Sequence, residues 1–148
     1  MADARFQPAV IAPATPGGEH YWVAVHDGQV LLLEDDVPLP LPLLRSFGLT
    51  GLDAGERHYL GTLDGRHVFA VGLREVPEVT PGLAFVDLRR LLLYPDPVLF
   101  AVAGRARQVL EWARDHRWCS RCGQATIAHA RDRAMVCTAC GYTQYPRV

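Results

Sequence analysis

Residues 118–148 read WCSRCGQATIAHARDRAMVCTACGYTQYPRV. All four cysteines of the chain lie here, Cys119, Cys122, Cys137 and Cys140, in the spacing C-x2-C-x14-C-x2-C. Two residues between cysteines let both sulfurs of one tight turn face one ion, and two such turns complete a tetrahedron of sulfurs around Zn²⁺. Each pair is followed by a glycine, Gly123 and Gly141, able to take the positive φ that turns the backbone N–H groups toward the sulfur. Arg117 and Arg121 stand nearby to offset the negative charge of four thiolates. Iron is the other metal that suits four sulfurs. Two disulfides are the competing reading, and an intracellular setting argues against them. His116 and His129 are read as bystanders to a complete set of four ligands. A catalytic zinc keeps a position open for water, so this site is expected to be structural. The segment from Ala125 to Val136 is too short for an apolar core of its own, and metal binding is expected to supply its folding energy.

Outward from this stretch, the chain of 148 residues has room for one ordinary domain and a small module. Its 49% hydrophobic and 21% charged composition is globular. The opening MADARFQPAVIAP lacks a basic segment followed by an apolar run, and the longest apolar stretches, Val30 to Leu33 and Val98 to Ala103, are too short to span a bilayer. A soluble cytoplasmic protein without membrane contact is expected. All 15 basic residues are arginine, and their distribution is uneven: residues 1–104 carry a net charge of −6 and residues 105–148 one of +5. A basic C-terminal third suits an anionic partner, or an acidic neighbour on which it docks.

The rest of the chain reads as an α+β body. HYWVAVHDGQVLLLE (20–34) and RHYLGTLDGRHVFAVGL (57–73) each place an Asp-Gly pair between β-rich runs. That pair predicts a tight hairpin, because a type I′ turn needs positive φ at both central residues. Prolines in VPLPLPLLRSFG (37–48) exclude a central strand, and a short helix over Leu43 to Phe47 is expected before Gly48. Ala84 to Asp87 reads as a short strand, with Asp87 capping a helical turn through Leu93. Asp96-Pro97 starts a long helix running to about His116. Leu99, Val102, Ala106, Val109, Leu110 and Ala113 form its apolar stripe, opposite Arg107, Gln108, Glu111, Arg114 and Asp115. The organisation is therefore a hairpin-rich N-terminal domain at 1–95, a connecting helix at 96–117, and a small four-cysteine ribbon at 118–145.

Catalytic signatures are missing. There is no G-x-S-x-G, Walker A or dinucleotide glycine motif. Arg74-Glu75-Val76-Pro77-Glu78 resembles the start of a Nudix box, but Pro77 would break the helix that box requires, Val79 replaces one of its paired glutamates, and Arg66 stands where its upstream glutamate would fall. It is read as a chance match on a loop. Asp35-Asp36 is read as a solvated pair.

LEWARDHRWCSRCG, the gap to AMVCTACG and the exit YPRV resemble the NAD(H) diphosphatases of the Nudix superfamily, also called NADH pyrophosphatases. FAVGL and FVDLRRL upstream are similar to segments of the same family. The resemblance implies an N-terminal α+β domain and a zinc ribbon with Cys119, Cys122, Cys137 and Cys140 as ligands, followed by a Nudix hydrolase domain. It implies homodimers that use Mg²⁺ or Mn²⁺ to cleave the diphosphate of NADH or NAD into nicotinamide mononucleotide and AMP, with NAD-capped RNA as a further substrate. By position, Tyr145 matches an aromatic that contacts the substrate. Asp132 falls where the family can place an acidic substrate contact, although Arg133 replaces the aromatic usual beside it. The hydrolase domain would begin at residues 146–148, so its glutamates and catalytic Mg²⁺ or Mn²⁺ would lie beyond this chain. The expectation is a front half, inactive alone, in a truncated or fragmentary form rather than a natural stand-alone protein. The alternative is a stand-alone zinc-ribbon module that binds nucleic acid or protein, using its arginines with Trp118 and Tyr145 as stacking rings. A purely structural scaffold is a third reading.

Overall fold

The computed structural model describes residues 5–14, 20–33, 41–43, 54–75 and 82–146. Strands β1 (Phe6–Pro8), β2 (Tyr21–His26), β3 (Gln29–Leu33), β4 (Ala54–Leu63), β5 (Arg66–Leu73) and β6 (Leu83–Asp87) form one six-stranded sheet in the order β1-β4-β5-β2-β3-β6. The two Asp-Gly pairs do what their chemistry predicts. Asp27 and Gly28 have φ of 49° and 78°, Asp64 and Gly65 of 50° and 80°, so β2–β3 and β4–β5 are closed by turns that need positive φ twice. What no turn signal foretells is how the hairpins join: β2 lies parallel to β5, with Tyr21 opposite Val68 and Val25 opposite Gly72.

Beyond β6 a 3₁₀ helix (Leu88–Leu93) starts at Asp87, whose carboxylate accepts from the Arg89 N–H at 2.9 Å. Helix α1 (Pro97–Asp115) follows, with Asp96 as its N-cap and Pro97 in its first turn. The whole predicted stripe is buried, joined by Ala103 and Trp112. It covers one face of the sheet, where Tyr21, Val23, Val30, Leu32, Leu60, Val68 and Ala70 complete the core. Each large side chain sealed there contributes about 1.5–3 kcal/mol, which makes this layer the main source of the body's stability. The opposite face carries a smaller cluster of Ala24, Leu31, Val71 and Leu73, flanked by Trp22 and Phe85.

The ribbon is a three-stranded antiparallel sheet, β7 (Thr126–Ala128), β8 (Met135–Cys137) and β9 (Thr143–Gln144), with β8 in the centre. Its buried residues are Cys119, Ala134, Cys137 and Gln144. Two of the four are cysteines, so it has no apolar core to fold around. Residues 44–47 of the expected short helix, the Asp35-Asp36 pair, and the Val76 to Val79 part of the Nudix-like stretch lie outside the described residues, while Leu43 is buried in the core. Glu75 sits at the exit of β5. Among the described residues, no helix is long and apolar enough to cross a membrane.

Candidate metal centre and the residues beside it

The two cysteine turns are built alike. In the first, the Cys119 N–H donates to Gln124 O at 2.7 Å and the Gly123 N–H to Cys119 O at 2.9 Å. In the second, the Cys137 N–H donates to Tyr142 O at 2.9 Å and the Gly141 N–H to Cys137 O at 3.2 Å. Gly123 and Gly141 take φ of 82° and 76°, a conformation that a Cβ would strain. In each turn the first cysteine is buried and the second exposed.

The four sulfurs converge. Cys119 Sγ is 3.7 Å from Cys140 Sγ, Cys122 Sγ is 3.4 Å from Cys137 Sγ, and all four lie within 4.8 Å of one another. A tetrahedron with metal–sulfur bonds of about 2.3 Å has sulfur–sulfur edges of about 3.8 Å. The two closest pairs lie near that edge and the rest reach no more than 4.8 Å, so a metal ion can sit among them. It is also, among the described residues, the one cluster of three or more metal-binding side chains. His116 and His129 are outside it: His116 Nδ1 donates to Trp112 O at 2.8 Å, and His129 Nδ1 accepts from the N–H groups of Arg131 and Asp132.

Main-chain dipoles prepare the sulfurs for negative charge. N–H groups of Cys140 and Ala139 point at Cys137 Sγ and bring its thiol down to about 6. The Cys122 and Arg121 N–H groups lower Cys119 in the same way. At Cys122 the Gln124 N–H also lowers the thiol, but the adjacent Cys137 sulfur and burial prevail and push it up to about 12. Sulfurs this close cannot all ionise against one another, and a divalent cation at their centre removes that conflict. Arg121 serves the site through its main chain, while its guanidinium lies over the Tyr142 ring at 4.2 Å.

The two other candidate residues sit at the end of the ribbon sheet away from the sulfurs. Met135 pairs with Gln144, so Tyr145 continues β9 toward the same end as the β7–β8 loop that holds Asp132. Both are exposed, Tyr145 at 58% and the Asp132 side chain at 59%. The loop is tightly wound: besides the two bonds to His129 Nδ1, the Ala134 N–H donates to Asp132 O at 2.9 Å and the His129 N–H to Ala134 O at 2.8 Å.

Arg133, which the sequence marks only as the replacement of an aromatic, reaches beyond the ribbon. Arg133 Nη2 donates to Ala9 O at 3.1 Å and to Tyr59 O, tying the ribbon to the body. Burial, reinforced by the charge of Arg105, lowers its pKa. A cleft of about 250 Å³ between ribbon and body is lined by Tyr59, Trp112, His129, Asp132 and Arg133 among others. The acceptors of Arg133 are main-chain carbonyls, which leave no residue-type signature in a sequence.

Comparison with known proteins finds two family models along the chain. Residues 19–112 match the family model described as the NADH pyrophosphatase-like rudimentary NUDIX domain, and residues 114–145 match the NADH pyrophosphatase zinc ribbon domain. The chain is 38% identical over 145 residues to a Stutzerimonas stutzeri protein named NAD-capped RNA hydrolase NudC, covering 97% of this chain and 50% of that protein. Proteins of the same name from Pseudomonas fluorescens and Pseudomonas aeruginosa are 36% and 35% identical, with 50% and 51% of their lengths covered. The chain thus spans about half the length of the curated relatives it matches.

Proposed function

The chain belongs to the NADH pyrophosphatase-like Nudix family, and on that premise we propose that it is the non-catalytic N-terminal and zinc-ribbon part of an NAD(H) diphosphatase. The parent enzyme would hydrolyse the diphosphate of NADH or NAD, free or as an RNA cap, adding water across the P–O–P bridge to give nicotinamide mononucleotide (reduced when NADH is the substrate) and AMP, the latter remaining as the 5′-monophosphate end of the RNA in the capped case. That chemistry would rest on Mg²⁺ or Mn²⁺ held by the Nudix hydrolase domain of the parent. The domain limits would be 1–95 for the body, 96–117 for the connecting helix and 118–145 for the ribbon. Cys119, Cys122, Cys137 and Cys140 would hold one structural zinc ion. The body and ribbon would contribute to a homodimer and shape the substrate site in the cytoplasm. There the Tyr145 ring would stack on a nucleotide ring, and the Asp132 carboxylate would accept a hydrogen bond from the substrate.

The observation that carries this reading is the four-sulfur cage itself: it leaves no fourth position for water, so zinc there clamps the fold instead of reacting. The test is to incubate purified residues 1–148 with NADH and Mn²⁺ and assay for nicotinamide mononucleotide and AMP. No product above the blank is expected, and clear cleavage would overturn the proposal.

A second reading, a ribbon that grips nucleic acid, draws on the net +5 of residues 105–148 and on Trp118 and Tyr145, exposed at 61% and 58%. Phosphate contacts make affinity fall steeply with salt. RNA affinity indifferent to salt between about 50 and 200 mM would rule this reading out.

A further inference from the structure

Arg133 sits next to Asp132, yet its side chain does not face the same way as that carboxylate's exposed one. Its guanidinium reaches back into the body and takes two acceptors with one nitrogen, Ala9 O just past β1 and Tyr59 O in β4. Those carbonyls belong to segments 124 and 74 residues away in sequence. They stand side by side because of a specific distortion. The β4–β5 register shifts between Tyr59 and Gly61, and Gly61 takes φ of 130°. A Cβ on Gly61 would lie 2.0 Å from Gln7 O and 2.8 Å from Ala9 N. Only a glycine lets β1 come this close, and the close approach is sealed by the Ala9 N–H donating to Leu60 O at 3.0 Å.

The acceptors are also rigid. Tyr59 is 8% exposed, its ring packs edge-on against Phe69, and its hydroxyl is 2.8 Å from His67 Nδ1. On the ribbon side, the loop that carries Asp132 is closed by the bonds to His129 Nδ1, the His129 N–H bond to Ala134 O and the Ala134 N–H bond to Asp132 O. Arg133 lies within that closed loop, so fixing its guanidinium fixes the peptide that carries Asp132. Its Nε is buried with no partner among the described residues.

We infer that Arg133 is a positioning residue: it transmits the placement of the N-terminal body, through the Gly61 distortion of β4, to the Asp132 loop of the ribbon. The body of this chain would then serve as the platform that sets a substrate contact on the ribbon. The mechanical part of this inference stands on the hydrogen bonds alone. Its consequence for substrate rests on the reading of Asp132 given above.

The experiment separates the two. Amide hydrogen exchange is followed by NMR on the zinc-loaded chain for wild type, Arg133→Lys and Arg133→Met. Arg133→Met is expected to speed exchange at Asp132 and Ala134 about ten-fold or more, as loss of a partly buried charged hydrogen bond would. The Cys119 and Cys137 amides, held by the metal turns, should keep their protection. Arg133→Lys, which keeps the charge and one donor head, should fall between. Unchanged exchange at Asp132 and Ala134, or an equal loss at the cysteine amides, overturns the inference. NADH affinity is then measured in a double-mutant cycle with Asp132→Ala. Arg133→Met should weaken NADH binding only while Asp132 is present. An equal weakening in the Asp132→Ala background overturns action through Asp132. If Asp132→Ala leaves NADH affinity unchanged, the substrate role of Asp132 fails, and the exchange data alone decide the strut.

Discussion

Arg5 Nη1 donates to both carboxylate oxygens of Asp96, at 2.9 and 2.8 Å, while Oδ1 of the same carboxylate accepts from the Val98 N–H at 3.1 Å. One side chain therefore caps α1 and fastens the segment before β1 to the start of that helix. The other donors of Arg5, Nε and Nη2, hold Asp64 at 2.9 and 2.8 Å. Asp96→Ala should cost about 1 kcal/mol from the lost cap. Asp96→Asn keeps a capping oxygen and gives up only a partly exposed ion pair, so its loss should be about half that or less. Urea midpoints of the three proteins check the order.

Gly61 predicts a larger effect. Its backbone is in a conformation that side chains rarely adopt, and the atoms a Cβ would meet are main chain and cannot step aside. Gly61→Ala should cost about 1–3 kcal/mol from the backbone alone and release β1 from β4. Gly65→Ala is the control. It too has positive φ, but a Cβ there meets nothing within 4 Å, so its cost should be confined to the turn. Chemical-shift changes at Gln7 and Ala9 should appear for the first variant and not for the second.

His58 carries a pH dependence. Burial pushes its imidazole below the usual value, and the charge of Arg133 adds to this, while Glu56 at 3.4 Å opposes both. The folded chain thus prefers the neutral ring. The unfolded chain takes up the proton first as pH falls through about 6.5, so stability is full above that pH and declines below it. His58→Gln should flatten that part of the stability curve between about pH 5 and 7, read by urea midpoints at several pH values. A midpoint that rises on acidification in wild type would contradict the sign.

Metal removal should act on the ribbon and spare the body. The ribbon buries almost no apolar side chains, and structural zinc sites supply about 10–16 kcal/mol of apparent binding free energy to such folds. Chelation, or Cys137→Ser, should collapse the NMR dispersion of residues 118–145 while the α1–sheet core of the body keeps its signals and its cooperative unfolding.

How much of this was legible in the sequence follows from where each signal resides. Asp27-Gly28 and Asp64-Gly65 state their turns locally, and Asp96-Pro97 with its 3.6-residue stripe states its helix, so those elements form as read. The cysteine spacing likewise brings Cys119, Cys122, Cys137 and Cys140 together because tight turns act over a few residues. The parallel pairing of β2 with β5 leaves no local mark, since it depends on which β-rich runs meet after the hairpins have closed. Strand β1 is three residues long and contains Pro8, too little for a pattern. The part Arg133 plays leaves no mark in the sequence because its partners are peptide carbonyls far away in the chain. That residues 19–112 match a rudimentary Nudix domain is not visible either, because a search by motif looks for a full glutamate box and this segment lacks one.

On the proposed reading, the cysteine cage is closed and structural and substrate is handled elsewhere. Cobalt(II) in place of the native metal reads this directly, since its visible ligand-field bands report coordination number and ligand type. Four-sulfur tetrahedral bands are expected at one cobalt per chain, with no change on adding NADH. Bands of a five-coordinate or oxygen-containing site, or bands that shift when NADH binds, would mean an open position at the metal and would contradict the account.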